Sequence, residues 1–313
     1  MKKVIKGTNL ETMGTDTLLL DPVIDPESYD VPTTAAVASG ITEAVGGASD
    51  ALQEQIDDIA EKAVNNLSQA KKIVRNIAHR GYDKSGNGAG RNKLSSYENL
   101  ASYGFDYGEC DIKWTSDNVP VCCHDDTFND ATTGETVTIA NHTYSELQQY
   151  DYYGEKIASF EDILVTCKNG GVGLYIDQNG YLTTAAKRDI IFGIIKKHAM
   201  EDDVVWLLQS QTTIDIIQNW YDKSAIGILF YTAISSTQID LANNAYNGKN
   251  YVFLDVDQNR TDAADLAANN VLLNPGVKIE IWVVNSETYY NKYKPYVNGI
   301  TSDKLSQSII DNK

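Results

Sequence analysis

Two short segments of this 313-residue chain hold the residue types from which a cation site with acid–base partners is built. Ala78-His79-Arg80-Gly81 ends one apolar run, and Glu109-Cys110-Asp111 lies inside the next. Side chains alternate along a strand, so Glu109 and Asp111 point to one face. Thr115-Ser116-Asp117-Asn118-Val119-Pro120 reads as a hairpin turn, and Val121-Cys122-Cys123-His124-Asp125-Asp126 returns from it. Pairing Thr115 with Pro120 sets Lys113 opposite Cys122 and Asp111 opposite His124. Cross-strand neighbours have Cβ atoms about 4.5–5.5 Å apart, which would bring His124 beside the two carboxylates. A later run, Tyr175-Ile176-Asp177, delivers a third carboxylate. Three such groups suit a hard cation, Mg²⁺ or Ca²⁺. His79 and His124 can then act around it as general base and general acid. The remaining histidines, His142 and His198, fall outside these segments and read as ordinary surface or capped residues.

Bringing those groups to one rim requires strands that end together. From residue 73 onward, β-prone runs alternate with helical patterns: 73–78, 107–113, 173–177, 204–209, 226–231, 251–255, 279–284 and 299–301. Between them lie amphipathic stretches such as 183–199, with Ile190, Ile191, Ile194 and Ile195, and 212–221. Strands alternating with helices over about 240 residues predict a single α/β fold, a (β/α)₈ TIM barrel. A doubly wound open sheet is the rival, but the first strand is not followed by the Gly-rich dinucleotide turn that would support it. Barrel enzymes build their sites at the C-terminal rim, where His79, Glu109, Asp111 and Asp177 all fall. Trp282, on a strand leading to that rim, reads as core over most of its surface and as a possible substrate wall at its edge.

These residues resemble the glycerophosphodiester phosphodiesterase family through most of 73–313. His79-Arg80-Gly81 is similar to the family's opening His-Arg-Gly. Glu109-Cys110-Asp111 with Thr115, Pro120 and His124-Asp125 is similar to its Glu-x-Asp to His-Asp block. Thr143-Tyr144-Ser145-Glu146-Leu147 and Ile157-Ala158-Ser159-Phe160-Glu161-Asp162 resemble its later connecting motifs. Ile281-Trp282-Val283-Val284-Asn285 and Gly299-Ile300-Thr301-Ser302-Asp303 resemble its last two strands. The resemblance implies a divalent metal on Glu109, Asp111 and Asp177, acid and base at His79 and His124, and phosphate contact by Arg80. It also implies attack on phosphorus by the substrate's neighbouring hydroxyl, followed by opening of the cyclic phosphate by water. The chain departs from the family at three places. Arg91 stands where the family has Glu in Pro-Glu-Asn-Thr, Asn179 where it has Lys after the third strand, and Asp130 where it has Arg after His-Asp. Those changes point to an altered substrate or lower activity, with Arg91 a candidate for restoring lost positive charge. The stretch 82–90, with Gly86, Gly88 and Gly90, reads equally as a plain loop or as a lid.

Residues 1–40 hold Pro22, Pro26 and Pro32 with many Thr, Asp and Gly, and are expected to be an extended attachment segment. Over 41–72, Ile41, Val45, Ala48, Leu52, Ile56, Ile59, Ala63, Leu67 and Ala70 recur at steps of three and four. So narrow a seam predicts a coiled-coil helix, with a stutter near Leu52 and Ile56. An attachment segment, a coil and then an enzyme domain resembles the tail fibres and tail spikes of bacteriophages. That likeness implies a homotrimer through 41–72, contact with other virion tail proteins through 1–40, and a glycerol-phosphate polymer such as teichoic acid of a Gram-positive wall as substrate. The other expectations are a free-standing, cytoplasmic phosphodiesterase acting on deacylated phospholipids, and a wall-binding module with little turnover. A formal charge of −17 argues against a nucleic-acid partner, which needs clustered cations. No run approaches the roughly 20 apolar residues of a membrane span. Met1–Gly7 is basic but lacks the apolar region of a secretory signal. Cys110, Cys122, Cys123 and Cys167 lack zinc spacing and are expected to be buried free thiols.

Overall fold

The computed structural model describes residues 74–83, 90–177, 181–305 and 309. The segment and coil expected over 1–72, Asn179 and the middle of the 82–90 loop lie outside those residues.

The strands are β1 (Arg75–Ala78), β2 (Tyr107–Trp114), β3 (Pro120–Cys122), β4 (Thr127–Asn129), β5 (Thr136–Thr138), β6 (Gly173–Asp177), β7 (Val204–Leu208), β8 (Ala225–Leu229), β9 (Val252–Asp257), β10 (Val277–Trp282) and β11 (Gly299–Ser302). The helices are α1 (Tyr144–Leu147), α2 (Phe160–Asn169), α3 (Ala185–Lys197), α4 (Gln211–Trp220), α5 (Ser236–Ala245), α6 (Ala263–Asn270) and α7 (Glu287–Tyr293). Eight strands form a closed parallel ring in the order β1, β2, β6, β7, β8, β9, β10, β11 and back to β1. The eight β-prone runs thus become the eight staves of a (β/α)₈ barrel, within a few residues of their expected bounds.

The ring explains the almost continuous apolarity of its strands, since both faces are covered. On β7, Val204, Trp206 and Leu208 pack outward with Ile191 and Ile195 of α3 and Ile214 and Ile217 of α4 in the outer core. Val205 and Leu207 point inward with Ile77, Tyr175, Leu229 and Phe253. The interior is filled by large side chains placed beside glycines. A Cβ on Gly227 would meet the Phe253 ring at 2.5 Å, and one on Gly299 would meet the Glu280 carboxyl carbon at 2.4 Å. The lower interior is polar. Glu280 accepts hydrogen bonds from the hydroxyls of Tyr175 and Tyr251, each at 2.8 Å. The Arg75 guanidinium lies 3.9 Å from the centre of the Tyr251 ring.

Asp255, buried on β9, is the register partner of Glu280. Burial, then the charges of Glu280 and Asp177, hold its carboxyl well above the usual carboxylate range. A raised folded pKa favours the protonated native state, and that contribution is lost as pH rises through the folded value. Asp255→Asn should therefore gain heat stability over the parent as pH rises, and the gain should vanish below the ordinary carboxylate range. Calorimetric melting across pH checks this, and a difference that did not change with pH would contradict it.

Between β2 and α2 the chain builds a second small core from Val121, Cys123, Phe128, Val137, Ile139, Leu147, Tyr152 and Ile157, with the antiparallel pair β4–β5 at its edge. The two connecting motifs are helix starts. Thr143 caps α1 with Glu146 closing the capping box, and Ser159 caps α2 with Asp162 doing the same. All four cysteines are buried and free.

Candidate active site

Asp111 and Asp177 are register partners on β2 and β6, and Glu109 stands one alternation earlier on β2, so the three carboxylates share the C-terminal mouth. The β2–β3 hairpin differs from expectation by one residue. Trp114 pairs with Pro120, Lys113 with Val121 and Ile112 with Cys122. Thr115 is withdrawn into the turn, where its hydroxyl accepts the Val119 N–H at 2.9 Å and lies 2.5 Å from Asp117 Oδ1. Asn118 takes a positive φ of 61° inside the same turn. Asp111 consequently faces Cys123, whose N–H donates to the Asp111 carbonyl at 3.0 Å. His124 falls beyond the end of β3 and is exposed, with Nδ1 2.8 Å from Asp125 Oδ1. The direct cross-strand pairing of His124 with Asp111 does not occur, because a one-residue change of register re-partners the whole strand.

His79 follows β1 and is gripped from the neighbouring strand, β11, where the barrel closes. Its Nδ1 lies 2.8 Å from Oδ1 of Asp303, the residue after β11. Burial opposes ionisation of Asp303, but the hydrogen bond and charge of His79 outweigh it and hold the carboxyl below its usual range. An ionised Asp303 accepts only, so Nδ1 is the ring nitrogen of His79 that carries the proton at this contact. Asn285 holds the other Asp303 oxygen through its Nδ2 and accepts the Asp303 N–H at 2.8 Å. Asp303 and Asn285 lay in motifs already noted, but nothing in their spacing marked them as partners of His79.

Arg80 adopts a positive φ of 54°, uncommon for a long side chain. Its N–H donates to Glu109 Oε2 at 2.9 Å, and its Nε lies 3.3 Å from Asp111 Oδ2. That Nε is buried and makes no hydrogen bond of good geometry, so the contact with Asp111 is one of charge. Opposite, Tyr231 and Trp282 meet edge to face with ring centres 5.7 Å apart. Trp282 is half-buried against the interior cluster. Partial burial, then the charges of Asp177, Asp111, Asp255 and Glu109, push the Tyr231 hydroxyl up to about 12, which places Tyr231 in the field of the mouth.

Two of the three departures, Arg91 and Asp130, lie among the described residues. The Arg91 guanidinium lies over the Tyr153 ring, 4.6 Å from its centre, rather than on the carboxylates. Asp130 knits its own loop, accepting from the Asp151 N–H at 2.9 Å and the Thr133 hydroxyl at 2.6 Å. His142 bonds the Thr138 carbonyl at 2.9 Å and His198 bonds Glu161 at 2.6 Å, both structural contacts.

Burial, then the charges of Asp111 and Asp177, hold the Glu109 carboxyl well above the usual carboxylate range. Among the described residues, no three His, Cys, Asp or Glu side chains are drawn tightly enough together to cage a metal as they stand. The donor chemistry nevertheless fits a hard divalent cation: carboxylate oxygens from neighbouring strands, whose mutual repulsion Arg80 partly offsets.

The profile of the glycerophosphoryl diester phosphodiesterase family matches residues 79–306. Human glycerophosphodiester phosphodiesterase 1 is 29% identical over 121 residues, covering 36% of this chain and 35% of the relative. The bovine protein of that name is 28% identical over 135 residues, covering 40% of each chain. The alignments thus span well under half the length of these curated relatives. Among solved structures, an Oleispira antarctica phosphodiesterase in complex with the product sn-glycerol-3-phosphate matches with a TM-score of 0.62 at 20% identity, covering 78% of this chain and 99% of that one. A glycerophosphodiester phosphodiesterase from Parabacteroides distasonis matches with a TM-score of 0.57 at 21% identity, covering 76% and 97%. At such identities the structural likeness speaks for the fold.

Proposed function

Because the chain belongs to the glycerophosphoryl diester phosphodiesterase family, we propose that it hydrolyses glycerophosphodiester bonds at the barrel mouth. The observation that carries this reading is the convergence of an Asp303-held His79, a charge-paired Arg80 and the Glu109, Asp111 and Asp177 carboxylates on one rim. Glu109, Asp111 and Asp177 would hold a divalent cation, which when bound neutralises charge on the non-bridging phosphate oxygens. Arg80 turns its guanidinium from Asp111 to the phosphate, for which its fork is well shaped. His79 Nε2 removes the proton from the hydroxyl beside the diester as that oxygen attacks phosphorus. His124, held at Nδ1 by Asp125, protonates the departing alkoxide. Water then opens the cyclic phosphate with the two histidines exchanging roles, which restores both. Trp282, joined by Tyr231, forms the wall against the alcohol.

The finer reading assigns this activity to a phage tail protein acting on glycerol-phosphate polymer, teichoic acid, at a Gram-positive surface. The attachment-like composition of 1–40 and the narrow apolar seam of 41–72 support it, with the seam assembling three chains. A repeating diester with a free neighbouring hydroxyl presents the same reacting group as a small glycerophosphodiester, and three heads on one stalk would gain avidity for it. Purified glycerol-phosphate teichoic acid and glycerophosphocholine should be compared as substrates, with and without chelator. Metal-dependent release from the polymer, with a trimer by light scattering, is the expected result. Turnover of glycerophosphocholine alone by a monomer would favour a cellular enzyme for deacylated phospholipids, and binding without release would favour a recognition module.

A further inference from the structure

We infer that Asn92 is a positioning residue that orients the Asp111 carboxylate for a divalent cation, an inference that rests on the cation site proposed above. Asn92 is wholly buried and adopts a positive φ of 59°, a conformation that asparagine tolerates better than most side chains. Its Nδ2 donates to Asp111 Oδ2 at 2.9 Å, and its Oδ1 accepts the Asp111 N–H at 3.2 Å. One amide therefore grips both the backbone and the side chain of the same residue. Reversing the amide would set oxygen against carboxylate and NH₂ against N–H, so its orientation is determined by its partners.

The grip is itself braced. The Tyr97 hydroxyl, buried, lies 2.9 Å from Asn92 Oδ1 and 2.7 Å from the Glu109 carbonyl, tying the amide to the strand segment that bears both carboxylates. The Asn92 N–H donates to the Arg80 carbonyl at 2.9 Å. Gly90 packs so closely there that a Cβ on it would lie 2.5 Å from the same carbonyl. The loop that aims Arg80 is thus locked to the loop that aims Asp111. Asn92 Nδ2 and Arg80 Nε both approach Oδ2, which leaves Oδ1 as the oxygen presented to a cation. An alanine at 92 would leave the Asp111 N–H unmatched and Oδ2 with the Arg80 charge contact but no amide donor, freeing the carboxylate to rotate. An apolar filler of equal volume would do the same, so the role lies in the amide rather than in packing.

Mn²⁺ binding to the full chain, followed by the paramagnetic signal of the free ion, tests this. Asn92→Ala should weaken Mn²⁺ binding by about 10–100-fold, the range typical of losing an outer-shell partner. Tyr97→Phe keeps the ring, removes the brace and should weaken it less, in the same direction. Turnover by Asn92→Ala should recover toward the parental rate as Mn²⁺ is raised, a rescue that a general folding defect would not show. Parental Mn²⁺ affinity in Asn92→Ala would overturn the inference while leaving the cation site standing. Should that variant fail to fold by circular dichroism, parental affinity in Tyr97→Phe would overturn it instead. A parent that takes up no Mn²⁺ at all would overturn the site itself.

Discussion

Replacing His79 with alanine should lower turnover of a glycerophosphodiester by about 10²–10⁴-fold, the usual contribution of a general acid or base. The fold should survive, because His79 is only half-buried and its one described side-chain bond is to Asp303. Asp303→Asn should fall between parent and His79→Ala. It keeps the imidazole but replaces the carboxylate that selects the Nδ1–H tautomer and stabilises the imidazolium once Nε2 has taken a proton. His124→Ala should cost a comparable factor, although this ring is exposed and held by its own neighbour Asp125. Steady-state rates on one small diester decide all three. Near-parental turnover by His79→Ala would end the assignment of the base. A parental His124→Ala beside an inactive His79→Ala would mean that the leaving group takes its proton from elsewhere.

Removing divalent metal should abolish turnover, and adding back Mg²⁺ or Ca²⁺ should restore it. Glu109→Gln and Asp111→Asn should each lose more than the roughly 10–100-fold that follows loss of an outer-shell partner. The two roles of Glu109 pull in opposite directions. Burial and the neighbouring carboxylates already disfavour its charged form, so a neutral glutamine removes a cost to the metal-free native state. Glu109→Gln should therefore be at least as heat-stable as the metal-free parent while nearly inactive. In the presence of metal the order of stability should reverse, since only the parent gains binding energy. Scanning calorimetry with and without added cation, beside activity assays, reads both effects. Full activity in chelator would remove the cation from the proposal.

Much of this architecture follows from local pattern. Alternation along 107–113 and 173–177 placed Glu109, Asp111 and Asp177 on one side of their strands, and the parallel register that sets Asp111 level with Asp177, the last residue of β6, brings them to one rim. The apolar runs located all eight staves, and Thr143 with Glu146 and Ser159 with Asp162 mark helix starts by residue type alone. The hairpin was less legible. Thr115 and Pro120 flank the turn symmetrically in the sequence, yet the Thr115 hydroxyl bonds within the loop and shifts every pair by one. What the tertiary structure alone decided is which distant groups meet. Closure of β1 on β11 brings His79 to Asp303 across a separation of 224 residues, and the loop after β1 folds back to set Asn92 on Asp111. Periodicity records which way a side chain faces, because that depends on the backbone of its own strand. Which residue stands beside it depends on strand order, register and barrel closure, which packing of the whole core determines.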